Sequence, residues 1–240
     1  MFDPKKLLDD LLGSQIPGTT GTVREKAGQA VQMAKDNPLA AGALAAVLLG
    51  TGPGRKVGGA AVKLGGLAAI GGLAYKAYQN YQAGQQPGAD AGAGADTGAG
   101  GEPVLLPPPS DTPFHPAAAP QGEDAFALAV LRAMIAAARA DGHIDDAERA
   151  HIADKLKLSG IGGAAEQFLL AELEKPVDVD AIVATAETEA QRAEIYTASR
   201  LTIEPETRAE RGYLDMLAGR LGLPDALVDH IEATVSDAKV

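Results

Sequence analysis

Apolar residues recur at helical intervals through the second half of the chain. Spacings of three and four residues place side chains on one face of an α-helix, whereas a strand would require alternation. The clearest stripes are Leu128, Leu131, Ile135 and Ala138 in the middle of the sequence and Leu227, Ile231 and Val235 near its end. No credible alternating pattern accompanies them, so the sequence predicts an all-α fold.

Residues 122–240 are predicted to form a seven-helix bundle. Asp145 can cap the second helix, and glycines at 160–163 break the chain before the third. Pro205 is expected in the first turn of the sixth helix, and Pro224 at the start of the seventh. The intermediate helices are expected near 165–173, 179–187 and 189–201.

Residues 37–84 are rich in glycine, alanine and apolar side chains. The stretch 57–75 has nineteen residues with Lys63 as its one charge, and such a helix covers about 28 Å, close to the hydrocarbon thickness of a bilayer. Small residues also recur every four positions from Gly42 to Gly58, which lets helices approach closely in lipid. These features favour membrane-associated helices, arranged as a hairpin or a single span. A soluble helix pair or a poorly ordered segment is the alternative.

The rest of the sequence completes a division into four regions. Tyr75, Tyr78 and Tyr81 follow the apolar stretch and are expected at the membrane interface. The Gly-Ala-Asp and proline repeats that come next cannot offset their own ordering entropy, so they predict a disordered acidic linker. The start of the chain does not resemble a secretory signal. The regions are a short amphipathic N-terminal region at 1–36, hydrophobic membrane segments at 37–84, the linker at 85–121 and the helical domain at 122–240.

Charge and composition narrow the classes of function. The chain has a net charge of −11 and no cysteine, which excludes disulfides and cysteine-ligated zinc. Acidic residues outnumber basic ones by 23 to 12 over residues 121–240, so nucleic-acid phosphates would be repelled. No nucleophile, base and oxyanion constellation can be assembled, so the chain is not expected to be an enzyme.

An acidic turn between two helical patterns is the candidate binding site. Asp141, Asp145 and Glu148 are spaced so that a tight turn brings them to one side. Glu206 and Glu210 could complete the site from a second turn, and carboxylates of this kind suit a divalent cation such as calcium. Helix capping is the competing interpretation, because Asp145 and Glu148 also form a good capping pair.

Several motifs resemble known families. Residues 140–148, Ala-Asp-Gly-His-Ile-Asp-Asp-Ala-Glu, resemble the turn of TerB-like tellurite-resistance domains. Residues 195–199 and 210–218, together with the N-terminal Phe-Asp-Pro-Lys-Lys-Leu-Leu at 2–8 and the Asn-Pro at 37–38, resemble the YebE-like or DUF533 inner-membrane family. The resemblance implies a membrane-anchored TerB-like domain linked to divalent cations and to envelope or metal stress. The second acidic cluster has glutamates where an aspartate is common.

Two functional hypotheses follow. The first is a membrane-anchored interaction or scaffold module that binds the lipid bilayer, presents an acidic helical surface to a protein partner, and can form homo-oligomers through its glycine-rich helices. The second is a divalent-cation sensor. Basic residues precede the apolar stretches, so the N terminus, and the C-terminal domain if the segment is a hairpin, are expected on the cytoplasmic side of a bacterial inner membrane.

Overall fold

The computed structural model of the protein describes residues 3–13, 66–88, 107–140 and 163–239. All regular structure in these ranges is helical, which confirms the all-α prediction. The α-helices are α1 (Pro4–Gly13), α2 (Gly66–Gln82), α3 (Glu123–Ala138), α4 (Ala164–Glu174), α5 (Val179–Ala184), α6 (Glu189–Thr202), α7 (Arg208–Leu221) and α8 (Asp225–Lys239). A short 3-10 turn, Pro116–Ala118, precedes α3. The six helices α3 to α8 are compatible with the predicted bundle.

Helix α6 is the centre of the molecule. It packs against α2, α3, α7 and α8, and all of its residues except Glu189 and Arg192 are buried. The Thr188 hydroxyl caps its start by accepting from the Gln191 amide at 3.2 Å. The helix ends at Thr202 because Glu204 precedes a proline, which disfavours helical backbone at the residue before it.

Helix α7 begins later than the proline signal predicted. Thr207 is the N-cap, its hydroxyl accepting from the Glu210 amide at 3.2 Å while Glu210 Oε2 accepts from the Thr207 amide at 2.8 Å. This reciprocal capping box satisfies two otherwise unpaired amides and fixes the start, so Pro205 lies outside the first turn. Gly222 ends the helix in the left-handed region with φ 65°.

The glycine-rich helix α2 packs inside this bundle. It contacts α1, α6 and α8, and Ile70, Leu73 and Ala74 are no more than 2% exposed. Its apolar side chains share one core with those of α6 and α8. Helix α2, which the sequence assigned to a membrane segment ending at residue 84, thus shares its core with helices of the domain predicted to begin at 122.

The tyrosines that follow the apolar stretch pack on protein. The ring centroids of Tyr75 and Tyr78 lie 5.6 and 5.3 Å from that of Phe114, and Tyr81 lies 6.2 Å from the His230 ring. The predicted placement of these rings at a membrane interface differs from their protein contacts. Their position is explained by the aromatic and apolar surface that the bundle offers them.

The last part of the predicted linker is ordered. Phe114 is 2% exposed, and Pro108 and Pro116 are buried beside it. The buried aromatic ring supplies apolar contact area, and the prolines reduce the entropy that the segment loses when it becomes ordered. Together these effects hold the segment on the bundle. Residues 107–121 of the predicted linker thus pack on the bundle, whereas residues 89–106 lie outside the described part of the chain.

The N-terminal helix α1 joins the same core. Leu7 and Leu8 are buried, and the helix packs against α2 and α3. Asp9 Oδ1 accepts from the Gly66 amide at 2.8 Å, which supplies one of the bonds that the start of α2 lacks. Lys5 Nζ lies 3.0 Å from Glu123 Oε1 at the start of α3.

Across residues 3–13, 66–88, 107–140 and 163–239, no helix has both the length and the apolar character needed to cross a bilayer. Residues 37–65 of the predicted membrane region, which include the first part of the 57–75 stretch, lie outside these ranges.

Candidate functional site

Only part of the predicted acidic site lies among the residues that the structure describes. Asp141, Asp145 and Glu148 lie outside the described residues. Glu206 is exposed before α7, and Glu210 is buried with one carboxylate oxygen bonded to the Thr207 amide. In the described ranges no three His, Asp or Glu side chains are grouped so as to hold a metal ion. Cation binding at the predicted turn stays a prediction, and Oε2 of Glu210 is engaged in capping α7.

An ion-pair cluster lies where α3 meets α4. Arg132 donates from Nε and Nη2 to the two oxygens of Glu172, both at 3.2 Å, and Lys175 Nζ donates to Glu172 Oε1 at 2.5 Å. Burial alone would raise the pKa of Glu172, but the hydrogen bonds from Arg132 and Lys175 outweigh it and lower that pKa. This carboxylate is therefore ionised and structural.

An open cleft of about 200 Å³ lies beside this cluster. Its walls come from α3, the end of α4 and α5, and they include the aliphatic side chains of Ile135, Val177 and Ile182. Arg139 Nη1 donates to the Lys175 carbonyl oxygen at 2.5 Å across it. The cleft is open and is lined by both cationic and anionic side chains, so its charge indicates no single class of ligand.

The polar side chains buried along α6 obtain their hydrogen bonds in two ways. Thr197, Ser199 and Thr202 each donate a hydroxyl to the carbonyl oxygen four residues earlier, at 2.7, 3.0 and 2.9 Å. Such bonds let hydroxyl residues lie inside a buried helix without an outside partner. The Gln191 side chain instead accepts from the Glu187 amide and donates to Gln121, both at 2.8 Å.

A charged network joins α6 to α8. Arg200 Nε donates to Glu232 Oε2 at 2.5 Å, and the Tyr196 hydroxyl donates to Glu232 Oε1 at 2.8 Å. Arg200 also donates to the Ile203 carbonyl oxygen at 3.0 Å. Burial first, and then the neighbouring Glu232 carboxylate, raise the pKa of the Tyr196 hydroxyl. Each group has a partner, which is the arrangement that a buried charge requires.

Glu194 is the exception on this helix. Its side chain is 2% exposed, and its buried Oε1 has no hydrogen-bond partner within the described part of the chain. Burial alone raises the pKa of Glu194 well above the ordinary value of a glutamate, because an unpaired carboxylate loses its hydration. Burial therefore favours the neutral form of this carboxyl over the ionised form.

Gly71 of α2 lies directly against this carboxyl. A Cβ atom at Gly71 would lie 2.9 Å from Glu194 Oε1, 2.6 Å from the Phe114 carbonyl oxygen and 3.3 Å from Pro108 Cγ. The absence of a side chain is therefore what allows α2, the 107–118 segment and α6 to meet at this point. This junction, formed by Gly71, Phe114 and Glu194, is named the carboxyl junction below.

Comparison with known proteins accounts for most of the chain. Residues 34–235 match the family described as "Protein of unknown function (DUF533)". The chain belongs to the DUF533 family. A Yersinia enterocolitica protein described as "Uncharacterized protein in ampR 5'region" is 27% identical over 110 residues, which is 46% of this chain and 79% of that protein. No solved structure matches the chain.

The extent of the DUF533 match agrees with the packing. The match begins before α2 and ends within α8, so it contains the glycine-rich helix, α6 and most of α8, whereas α1 precedes it. The predicted resemblance to DUF533 is thereby confirmed.

The carboxyl junction of this DUF533 protein is not evident from its sequence. The signal available was indirect: Glu194 lies four residues from both Ala190 and Ala198, so it shares a face with apolar neighbours. An acidic residue in a polar-looking helix is ordinarily solvated, and the Gly-Gly pair at 71–72 is equally consistent with packing in lipid. Only the tertiary contact distinguishes these cases.

Proposed function

We propose that this DUF533 protein is a TerB-like helical interaction module that associates with the bacterial inner membrane through its glycine-rich region. In this proposal the helical domain lies on the cytoplasmic side and presents its acidic surface to a protein partner. The acidic surface disfavours nucleic acid and favours a partner with basic or neutral contacts.

The packing of α2 into the bundle is the observation that supports this proposal best. Helix α2 continues directly from the apolar sequence of 37–65, and it is anchored to α1, α6 and α8 through buried side chains. Any membrane attachment made by 37–65 would therefore act on the rigid bundle itself. A domain held in this way is suited to assembling partners close to the bilayer surface.

Vesicle flotation with the full chain tests membrane association. The wild-type chain is expected to float with vesicles of phosphatidylethanolamine and phosphatidylglycerol. Leu48→Glu and Leu64→Glu each place a charge in the apolar sequence and should reduce the floated fraction, since a charge at the bilayer centre costs about 2.5–3.5 kcal/mol.

Leu105→Glu is the matched control, because it makes the same change in the predicted linker. It should float like the wild type. A wild-type chain that stays in the lower fraction, or equal flotation of all four proteins, would refute the membrane part of the proposal.

A further inference from the structure

The carboxyl junction combines three features that ordinary core packing does not need. It buries an ionisable side chain, leaves Oε1 of that side chain without a partner in the described ranges, and places that oxygen against Gly71, which also lies against the Phe114 carbonyl oxygen. Besides Glu194, the residues that meet at this junction come from α2 and from the 107–118 segment. Both belong to the sequence before α3.

We propose that Glu194 is a proton-controlled latch: its neutral carboxyl permits α2 and the 107–118 segment to dock on α6, and its ionisation favours their release. The proposal does not depend on membrane association, because it concerns only contacts within the chain.

The energetic reason lies in the missing partner. A neutral carboxyl can remain buried at modest cost, whereas a carboxylate without a hydrogen bond or counter-ion is strongly disfavoured. The unfavourable burial of the carboxylate is relieved either by protonation or by exposure of the group to water. Displacement of α2 gives the carboxylate water while leaving the contacts of α6 with α3, α7 and α8 in place.

Among the residues that the structure describes, no neighbouring charge offers an alternative to the proton. The elements around α6 contribute buried or half-buried titratable groups to this core, among them Tyr78 of α2, His115, Arg132 of α3, Glu210 and Tyr213 of α7, and His230 of α8. None of these shifts the pKa of Glu194, for which burial is the sole cause. The Glu232 carboxylate on α8 is already bonded to Arg200 and Tyr196.

The sign of the pH effect follows from linkage. In the docked state the pKa of Glu194 is raised. At pH values above the ordinary glutamate pKa, about 4.3, the docked carboxyl therefore keeps a proton that the released carboxyl loses. Docking is therefore most favourable below that value and weakens as the pH rises toward the pKa of the docked state. The limit for a single proton is about a tenfold fall in the docked-to-released ratio per pH unit.

Hydrogen exchange in the purified full chain tests the latch. Protection factors, corrected for intrinsic exchange, are compared for α2 and α7 between about pH 5 and pH 8. In the wild type, protection of α2 should fall by up to about tenfold per pH unit while that of α7 changes much less. Glu194→Gln keeps the shape and removes the ionisation, so its α2 protection should not depend on pH.

Glu187→Gln is the matched control, since Glu187 is an exposed glutamate just before α6. It should behave like the wild type. Two results would overturn the proposal: the same pH dependence in Glu194→Gln as in the wild type, or parallel loss of protection in α2 and α7, which would indicate global unfolding.

A second measurement needs no variant. The ring signals of Phe114 and Tyr78 in the wild-type NMR spectrum should shift together in one titration, with a midpoint well above the ordinary glutamate pKa. Ring signals that stay constant over the same pH range would also overturn the latch.

Discussion

Gly71 illustrates how a single residue determines the approach of two helices. The Phe114 carbonyl oxygen and the Glu194 carboxyl both lie closer to the position of a Cβ than side chains tolerate. The carbonyl belongs to a backbone pinned by a buried ring, so it cannot move without displacing Phe114. Glycine is needed here for the space it leaves, because α2 has ordinary helical backbone at this position.

Gly71→Ala is therefore expected to destabilise the protein by about 1–3 kcal/mol, the usual cost of overpacking. Gly219→Ala is the control, because Gly219 is also helical but has nothing within 4 Å of its added Cβ. That variant should gain about 0.5–1 kcal/mol, since alanine favours helix. Urea unfolding of both variants measures the difference, and equal stabilities would contradict the described contact.

At the scale of elements, the apolar stripes were predictable and the partners of α2 were not. Leu227, Ile231 and Val235 are all fully buried on α8, as their spacing indicates. The composition of α2 fits a lipid bilayer or a protein core equally well, because small residues promote close helix packing in both. Which environment surrounds it depends on Phe114 and on the apolar faces of α6 and α8, all distant in sequence.

The network between α6 and α8 gives the prediction at this scale. Arg200→Met should destabilise the protein by about 1–3 kcal/mol, because it leaves the partly buried Glu232 without its cation. Glu232→Gln alone should also destabilise it. The double variant should recover part of the loss, so a double-mutant cycle should give a coupling energy of about 0.5–3 kcal/mol. Strict additivity would show that the pair contributes nothing to the joining of the two helices.

Cation binding by the acidic turn at residues 141–148 is a prediction from the sequence. Titration of the full chain with calcium or magnesium measures it directly. A cation site would raise the melting temperature, because a ligand that binds only the folded state stabilises it. Asp145→Asn should then abolish the rise. No change in melting temperature at about millimolar cation would favour helix capping as the role of the turn.

At the scale of the whole molecule, the chain is an all-α protein in which sequence from both sides of the predicted linker shares a core. The N-terminal helix α1, the glycine-rich helix α2 and the Phe114 segment all pack on helices of the C-terminal region. The sequence predicted the helices that the structure describes between residues 122 and 239, since these segments carry their own apolar periodicity. The packing of α1, α2 and the Phe114 segment on the C-terminal helices was not predictable, because their sequences do not specify which surface they contact.

The central claim is that α2 and the Phe114 segment belong to this core. The chain has 4 phenylalanines, 5 tyrosines and no tryptophan, so ring contacts can be assigned by NMR with selectively labelled aromatics. The structure predicts nuclear Overhauser effects between the Phe114 ring and the rings of Tyr75 and Tyr78, and between Tyr81 and His230. Their absence in the folded full chain, or tyrosine ring contacts with lipid acyl chains in their place, would contradict it.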